Sequence, residues 1–181
     1  VRDHVWGQRP FRAPHHSASM AAMLGGGSTP RAGEVTLAHR GVLFLDEFPE
    51  FERRVREGLR EPLENLSVTI ARAKGKVDFP ADFQLLAAMN PCPCGWYGHI
   101  QGRCRCRAEQ IASYQQRLSG PVIDRIDLFV ALTASDEHWL ELVPGESSIE
   151  VRRRVEAVRL PQLQRQNTVN ARLPDKALEG C

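Results

Sequence analysis

The stretch Gly41-Val42-Leu43-Phe44-Leu45-Asp46-Glu47 decides how the rest of this chain is read. Four consecutive bulky apolar residues suit a strand buried on both faces, as in a parallel sheet covered by helices. Asp46 and Glu47 then fall at the carboxyl end of that strand, the edge at which open α/β sheets place their ligands. Adjacent carboxylates repel unless a cation or solvent separates their roles. A hydrolytic nucleotide site makes that division: one acid holds Mg²⁺ through its waters, and its neighbour orients the attacking water. The plainer alternative is a buried strand running into an ordinary acidic turn.

Downstream of the acids, Pro49 sits where a helix can begin, and Phe51, Val55 and Leu59 recur at spacing four. That pattern predicts an amphipathic helix ending near Pro62, supported by Arg53 and Glu57 at i, i+4. Residues 67–79 alternate β-formers around Lys74-Gly75-Lys76, the pattern of a hairpin with Arg72, Lys74 and Lys76 at one end. Those cations either contact nucleic acid or keep the turn from pairing edge to edge. Phe83 to Met89 reads as a second buried strand, stopped by Asn90 and Pro91. A neutral amide at a strand end can hydrogen-bond both a water and a phosphate oxygen.

Cys92-Pro93-Cys94 and Cys104-Arg105-Cys106 follow, enough thiolates for a closed tetrahedral zinc site, with His99 as a substitute ligand. The alternative is four reduced cysteines on a mobile loop. Residues 107–118 predict a helix with Ile111 and Leu118 inward. Arg125 lies between Asp124 and Asp127, ahead of an apolar strand from Leu128 to Leu132. In isolation that arrangement is a local ion pair. Around residue 135 the pattern changes: Pro144-Gly145-Glu146 marks a linker, and Ser147 with Glu150 makes a capping box. Val151, Val155 and Val158 line the inner face of the helix it opens, until Pro161 interrupts it. We therefore divide the chain into 1–134 and 135–181, the second being the start of a helical subdomain.

Upstream of the opening strand, Ser17 or Ser19 can cap a short helix through Leu24, which Gly25-Gly26-Gly27 must end. The glycine run is not a phosphate loop, because no G-x-x-x-x-G-K-[ST] occurs; we expect a flexible insertion loop. Glu34 to Ala38 reads as a short strand or turn. The His15-His16 pair, on an irregular basic segment, can bind metal or phosphate, although adjacent histidines on a loop more often do neither.

The 181 residues are 42% hydrophobic and 25% charged, ordinary for a globular protein, and a formal charge of +2 does not by itself demand a nucleic-acid partner. No apolar stretch approaches the roughly 18 residues of a membrane-spanning helix. The clustered cysteines fit metal binding in a reducing compartment better than a disulfide framework. The start at Val1, without a methionine, leads us to expect a piece of a longer protein whose phosphate loop lies upstream.

In their order, these features resemble the second half of an AAA+ ATPase core: acidic strand end, helix, basic hairpin, strand ending in Asn90, then Asp124-Arg125-Ile126-Asp127. Collinear stretches narrow the resemblance to the magnesium-chelatase-like ComM/YifB family. They are Arg9-Pro10-Phe11-Arg12-Ala13-Pro14-His15-His16-Ser17, Gly41–Phe51, Ala87-Ala88-Met89-Asn90-Pro91, Leu118-Ser119-Gly120-Pro121 and Val143-Pro144-Gly145-Glu146-Ser147-Ser148. The resemblance implies an α/β fold: an incomplete P-loop (AAA+) three-layer αβα core with a β-hairpin insertion, followed by the start of an α-helical lid subdomain.

It also implies ATP and Mg²⁺ as cofactors, a cytoplasmic homo-oligomeric ring (a hexamer), and DNA as the partner, with branch migration during natural transformation as the task. By the same resemblance Asp46 holds the Mg²⁺ shell, Glu47 polarises the attacking water, and Asn90 positions it. Arg125 reaches the neighbouring subunit's nucleotide, and Arg72, Lys74 and Lys76 track DNA in the pore. Cys92, Cys94, Cys104 and Cys106 would hold zinc, which is not essential to the family's ATPase chemistry, since other members carry serine or threonine there. Without a phosphate loop, the piece alone is expected to be inactive. Two other readings stand beside this one: a chelatase ATPase subunit that helps insert Mg²⁺ into a porphyrin, and a zinc-stabilised nucleic-acid binding module without ATPase activity.

Overall fold

The structure, a computed structural model, describes residues 7–27, 29–72, 75–118, 120–132 and 144–173. The chain falls into two compact units, Val1–Ala134 and Ser135–Cys181. The first is mixed α/β and is built on a parallel sheet.

In chain order, β1 is Phe11–Arg12 and α1 is Met20–Leu24, capped by Ser19, whose hydroxyl accepts from Ala22 N. The expected glycine stop follows, with Gly25 at φ 100. The glycines are not a free loop, however: β2 (Gly25–Gly26) pairs antiparallel with β3 (Arg31–Ala32). A Cβ on Gly25 would run into the Arg31 carbonyl, so this ribbon needs glycine for close approach as well as for its backbone angle. Glu34 to Leu37 forms a short helix, α2, rather than a strand, anchored to β1 by a two-pronged Arg12–Glu34 pair at 2.6 and 2.8 Å.

The opening heptapeptide gives β4, Val42–Leu45. It is the middle strand of the three-stranded sheet, between β1 and β7 (Gln84–Ala87), parallel to both. Burial on both faces is the one expectation it does not meet in full. Leu43 and Leu45 are completely buried, whereas Val42 and Phe44 on the other face are only partly covered. Phe44 stacks on Phe11 at 6.3 Å, yet Phe11 stays 63% exposed. β7 is likewise mostly exposed rather than buried, and among the described residues nothing pairs with its outer edge.

The predicted helix after Pro49 is two helices, α3 (Arg53–Gly58) and α4 (Arg60–Asn65). Phe51, Val55 and Leu59 do face the core, but Pro62 does not end the run. It stands in the first turn of α4, where a missing N–H breaks no helical bond. β5 (Ser67–Arg72) and β6 (Gly75–Pro80) form the expected hairpin, with Ser67 opposite Pro80 and Arg72 opposite Gly75. Its root, Val68 and Ile70, joins one continuous core with Met23, Leu24, Val35, Leu43, Leu45, Phe51, Val55, Leu59 and Val122.

After β7, α5 covers Ala108–Gln115 and α6 covers Gly120–Ile123. The buried face of α5 is made by Tyr114, while Ile111 and Leu118 are only half-buried. Buried Arg56 of α3 donates to the Arg117 carbonyl just beyond α5 and so ties the two helices. The predicted strand Leu128–Leu132 is absent: these residues form no strand or bridge, and Leu128 and Leu132 are 83% and 93% exposed. No described strand lies alongside them, and apolar character alone cannot make a strand without a hydrogen-bonding neighbour.

In the second unit α7 runs Ser148–Gln166 from the predicted capping box, with Glu150 N donating to Ser147 Oγ and Ser147 N to Glu150 Oε2. It continues through Pro161 rather than stopping there. Its valines 151, 155 and 158 are exposed rather than lining an inner face. No helix among the described residues is long and apolar enough to cross a membrane.

Candidate functional site

The carboxyl end of β4 delivers two acids to one edge of the sheet. Asp46 Oδ1 accepts the Glu47 backbone N–H at 2.9 Å; among the described residues Asp46 Oδ2 has no hydrogen-bond partner, so one oxygen stays available. Glu47 takes the left-handed conformation, φ 50 and ψ 44, uncommon for a residue with a side chain. Three backbone bonds enforce this turn: Ala88 N to the Leu45 carbonyl (2.9 Å), Phe48 N to the Ala88 carbonyl (3.0 Å) and Glu50 N to the Glu47 carbonyl (2.7 Å). The first two also draw the segment leading to Asn90 alongside the acids. Strained backbone held this firmly concentrates at functional sites, because only surrounding structure can maintain it.

Asn90 lies three residues past the end of β7, in the loop that follows. Its backbone lies near the hydroxyl of buried Tyr114 on α5 and favours the ionised form there. Burial first, and then the charge of Glu50, hold that hydroxyl above the ordinary phenol range; Glu47 adds in the same direction. Gln115 Nε2 donates to the Pro91 carbonyl at 3.3 Å, so α5 braces the loop directly after Asn90. The structure thus groups Asp46, Glu47 and the Asn90 loop at one sheet edge, with Tyr114 behind them.

Two residues to which the sequence reading gave no part in this edge belong to it. His16 places Nδ1 3.0 Å from Glu47 Oε2, and Tyr114 lies behind the Asn90 loop. The pairing of β1 with β4 could have pointed to His16. Phe11 pairs with Val42, and His16 meets Glu47 at the same offset of 31 residues. No sequence signal singled out Tyr114.

Arg125 does not join these residues. It also does not pair with its sequence neighbours Asp124 and Asp127; it reaches across to Glu64 on α4, with Nε at 3.0 Å and Nη2 at 2.7 Å from one carboxylate oxygen. Arg60 shares that carboxylate at 2.9 Å. The two guanidiniums, Arg60 first, hold Glu64 below the usual carboxylate range. On the hairpin, Lys76 is exposed and 3.9 Å from Asp78, whereas Lys74 and the Arg72 side chain lie outside the described residues.

The four clustered cysteines come together. Their sulfur atoms all lie within 4.8 Å of one another, with Cys92–Cys94 at 3.3 Å, Cys94–Cys104 at 3.6 Å and Cys92–Cys104 at 3.8 Å. Tetrahedral zinc with Zn–S near 2.3 Å sets ligand sulfurs about 3.8 Å apart, so the donor set fits zinc in both type and spacing. The electrostatics agree. Backbone N–H groups of Trp96 and Arg105, then Cys92, lower the Cys94 thiol to about 6, while hydrogen bonding to Cys94 and then desolvation push Cys106 up to about 12. One thiolate is favoured, while the thiols of Cys104 and Cys106 are pushed toward the protonated form, the condition a divalent cation reverses. His99 stands outside the cluster: Nδ1 accepts from Gln101 N at 3.1 Å and the ring edge meets Trp96.

Comparison with known proteins bears on the whole chain. Residues 1–140 match the family described as magnesium chelatase, subunit ChlI. The chain is 53% identical over 169 residues to the uncharacterized protein YifB of Escherichia coli, covering 92% of this chain and 33% of that protein. It is 50% identical over 178 residues to competence protein ComM of Haemophilus influenzae, covering 97% of this chain and 35% of that one. It therefore spans about a third of the length of these curated relatives. With a family match across most of its length and identities this high, the chain belongs to the magnesium-chelatase-like ComM/YifB family.

Proposed function

We propose that this chain carries the water-activating half of a Mg²⁺-dependent ATP-hydrolysing site, in a protein that assembles as an AAA+ ring and remodels DNA. The observation that carries the reading is Glu47, a carboxylate fixed in a left-handed turn at the end of a central parallel strand, beside Asp46. Asp46 has a free oxygen to hold the water shell of Mg²⁺, and that ion would neutralise phosphate charge. Glu47 orients the attacking water and accepts its proton, while the Asn90 amide, braced by α5, donates to a phosphate oxygen or to that water.

Arg125 is the group that acts on the nucleotide of a neighbouring subunit. Its present partner, Glu64, is an exposed ion pair of small energetic weight, so exchanging it for a phosphate costs little. The hairpin cations Arg72, Lys74 and Lys76 follow the DNA backbone, a sequence-independent contact. The four thiols hold a structural zinc that clips the loop after Asn90; this supports the site and takes no part in the chemistry. The unit Ser135–Cys181 is the beginning of the helical lid. The name of the competence relative supports a role in competence.

The test is phosphate release by the intact purified protein. We expect turnover that requires Mg²⁺ and rises on adding duplex or branched DNA. Turnover absent in every one of these conditions would refute the reading.

A further inference from the structure

We propose that His16 is a positioning residue for Glu47, holding one carboxylate oxygen so that the other faces the water to be activated. The inference rests on the ATPase reading above and adds to it a residue that no part of that reading uses.

The geometry starts from the backbone. β1 and β4 run parallel in register, and the offset that pairs Phe11 with Val42 is kept four residues beyond the pairing, where His16 comes level with Glu47. Glu47 is acceptor-only when ionised, so the 3.0 Å contact requires His16 Nδ1 to carry the proton and donate to Oε2. The imidazole is itself held. His15 lies against it with ring centroids 4.0 Å apart, and the edge of Phe51, which is buried, faces it at 6.4 Å. His15 in turn is fixed by Ser17, whose backbone N–H donates to His15 Nδ1 at 3.2 Å.

Glu47 is thus constrained twice. The left-handed turn sets where its side chain leaves the backbone, and His16 sets where its carboxylate ends. A half-exposed glutamate without such a partner would sample several rotamers, each removing the carboxylate from the water it must orient. Misplacement by about 1 Å is enough to cost roughly 100-fold in rate. Because His16 acts through Glu47 and not on the nucleotide, its loss should appear in kcat and leave KM nearly unchanged.

The experiment measures steady-state ATP turnover of the intact protein for His16→Ala, His16→Asn, Glu47→Gln and the double variant His16→Ala/Glu47→Gln, with ATP binding followed separately. We expect His16→Ala to lower kcat about 10- to 100-fold, with KM and ATP binding within about threefold. His16→Asn, whose Nδ2 amide stands where Nδ1 does and can still donate to Oε2, should recover much of the loss. In the double variant the histidine substitution should cost nothing further, since the group it positions is already gone. An unchanged or increased kcat in His16→Ala, or equal losses in His16→Ala and His16→Asn, overturns the proposal. If Glu47→Gln itself leaves turnover intact, the ATPase assignment of Glu47 falls first. If Glu47→Gln abolishes turnover while His16→Ala does not reduce it, the positioning role alone is wrong.

Discussion

Replacing Cys92 with serine probes the thiol cluster at its most deeply placed member. Cys92 is fully buried and lies two residues beyond Asn90, whereas Cys94 is exposed and the other two are intermediate. The three close sulfur separations, 3.3, 3.6 and 3.8 Å, differ from the tetrahedral zinc edge of about 3.8 Å by at most about half an ångström. Little rearrangement is therefore needed on binding, and the affinity should reach that of structural zinc sites, about 10–16 kcal/mol. That range corresponds to a dissociation constant of about 50 nM or tighter. The measurement is metal content after dialysis against a weak chelator, followed by competition with a chromophoric chelator under reducing conditions. We expect one zinc per chain in the unaltered protein and, for Cys92→Ser, a loss of at least about 100-fold in affinity, as one of four ligands is gone. Less than a tenth of an equivalent in the unaltered protein with its thiols reduced would refute the zinc assignment.

Three further outcomes follow from particular contacts. Gly41→Ala should destabilise the protein by about 2–4 kcal/mol, because its new Cβ would collide with the Pro10 carbonyl that accepts from Val42 N at 2.8 Å; thermal unfolding of the intact protein checks this, and a melting temperature unchanged within a degree contradicts it. Lys74→Ala with Lys76→Ala should weaken DNA binding uniformly across sequences and flatten its salt dependence by about two phosphate contacts; titrations at several salt concentrations read the slope, and an unaltered slope removes the hairpin from the DNA path. Glu64→Gln should free Arg125 while leaving turnover intact, whereas Arg125→Ala should lower it about 1,000-fold or more. The Glu64 carboxylate is held below its usual range, so this clamp is in place at neutral pH and is lost only as the pH falls through that depressed value. Equal turnover in Arg125→Ala and the unaltered protein contradicts the finger role.

How much of this was readable in advance depends on whether the deciding physics is local. β4, the hairpin, the Ser19 cap and the Ser147–Glu150 capping box all follow from patterns within a few residues, and the structure contains each. The mismatches arise where a neighbour decides. Leu128–Leu132 has the composition of a strand but no described partner, and β7 is exposed because its side chains are left largely uncovered by other elements. Pro62 reads as a helix stop in sequence, yet a break at Leu59 puts it in the first turn of a new helix. Pro161 is carried inside α7 although proline disfavours helix interiors.

The site shows the same division. Asp46 and Glu47 could be located from their strand, and the four cysteines from their spacing, because each set is contiguous or nearly so. The contacts of His16 with Glu47 and of Arg125 with Glu64 join residues 31 and 61 positions apart, and only the fold brings them together. Glu47's left-handed backbone was equally hidden, since glutamate carries no preference for it.

The account turns on what Glu47 does, and one substitution addresses it. Glu47→Gln keeps the side chain's size and can still contact His16, but it removes the charge that accepts a proton from water. ATP turnover and ATP binding should be measured together on the intact protein. The account predicts turnover reduced at least about 100-fold with binding retained. Turnover within twofold of the unaltered protein would contradict it.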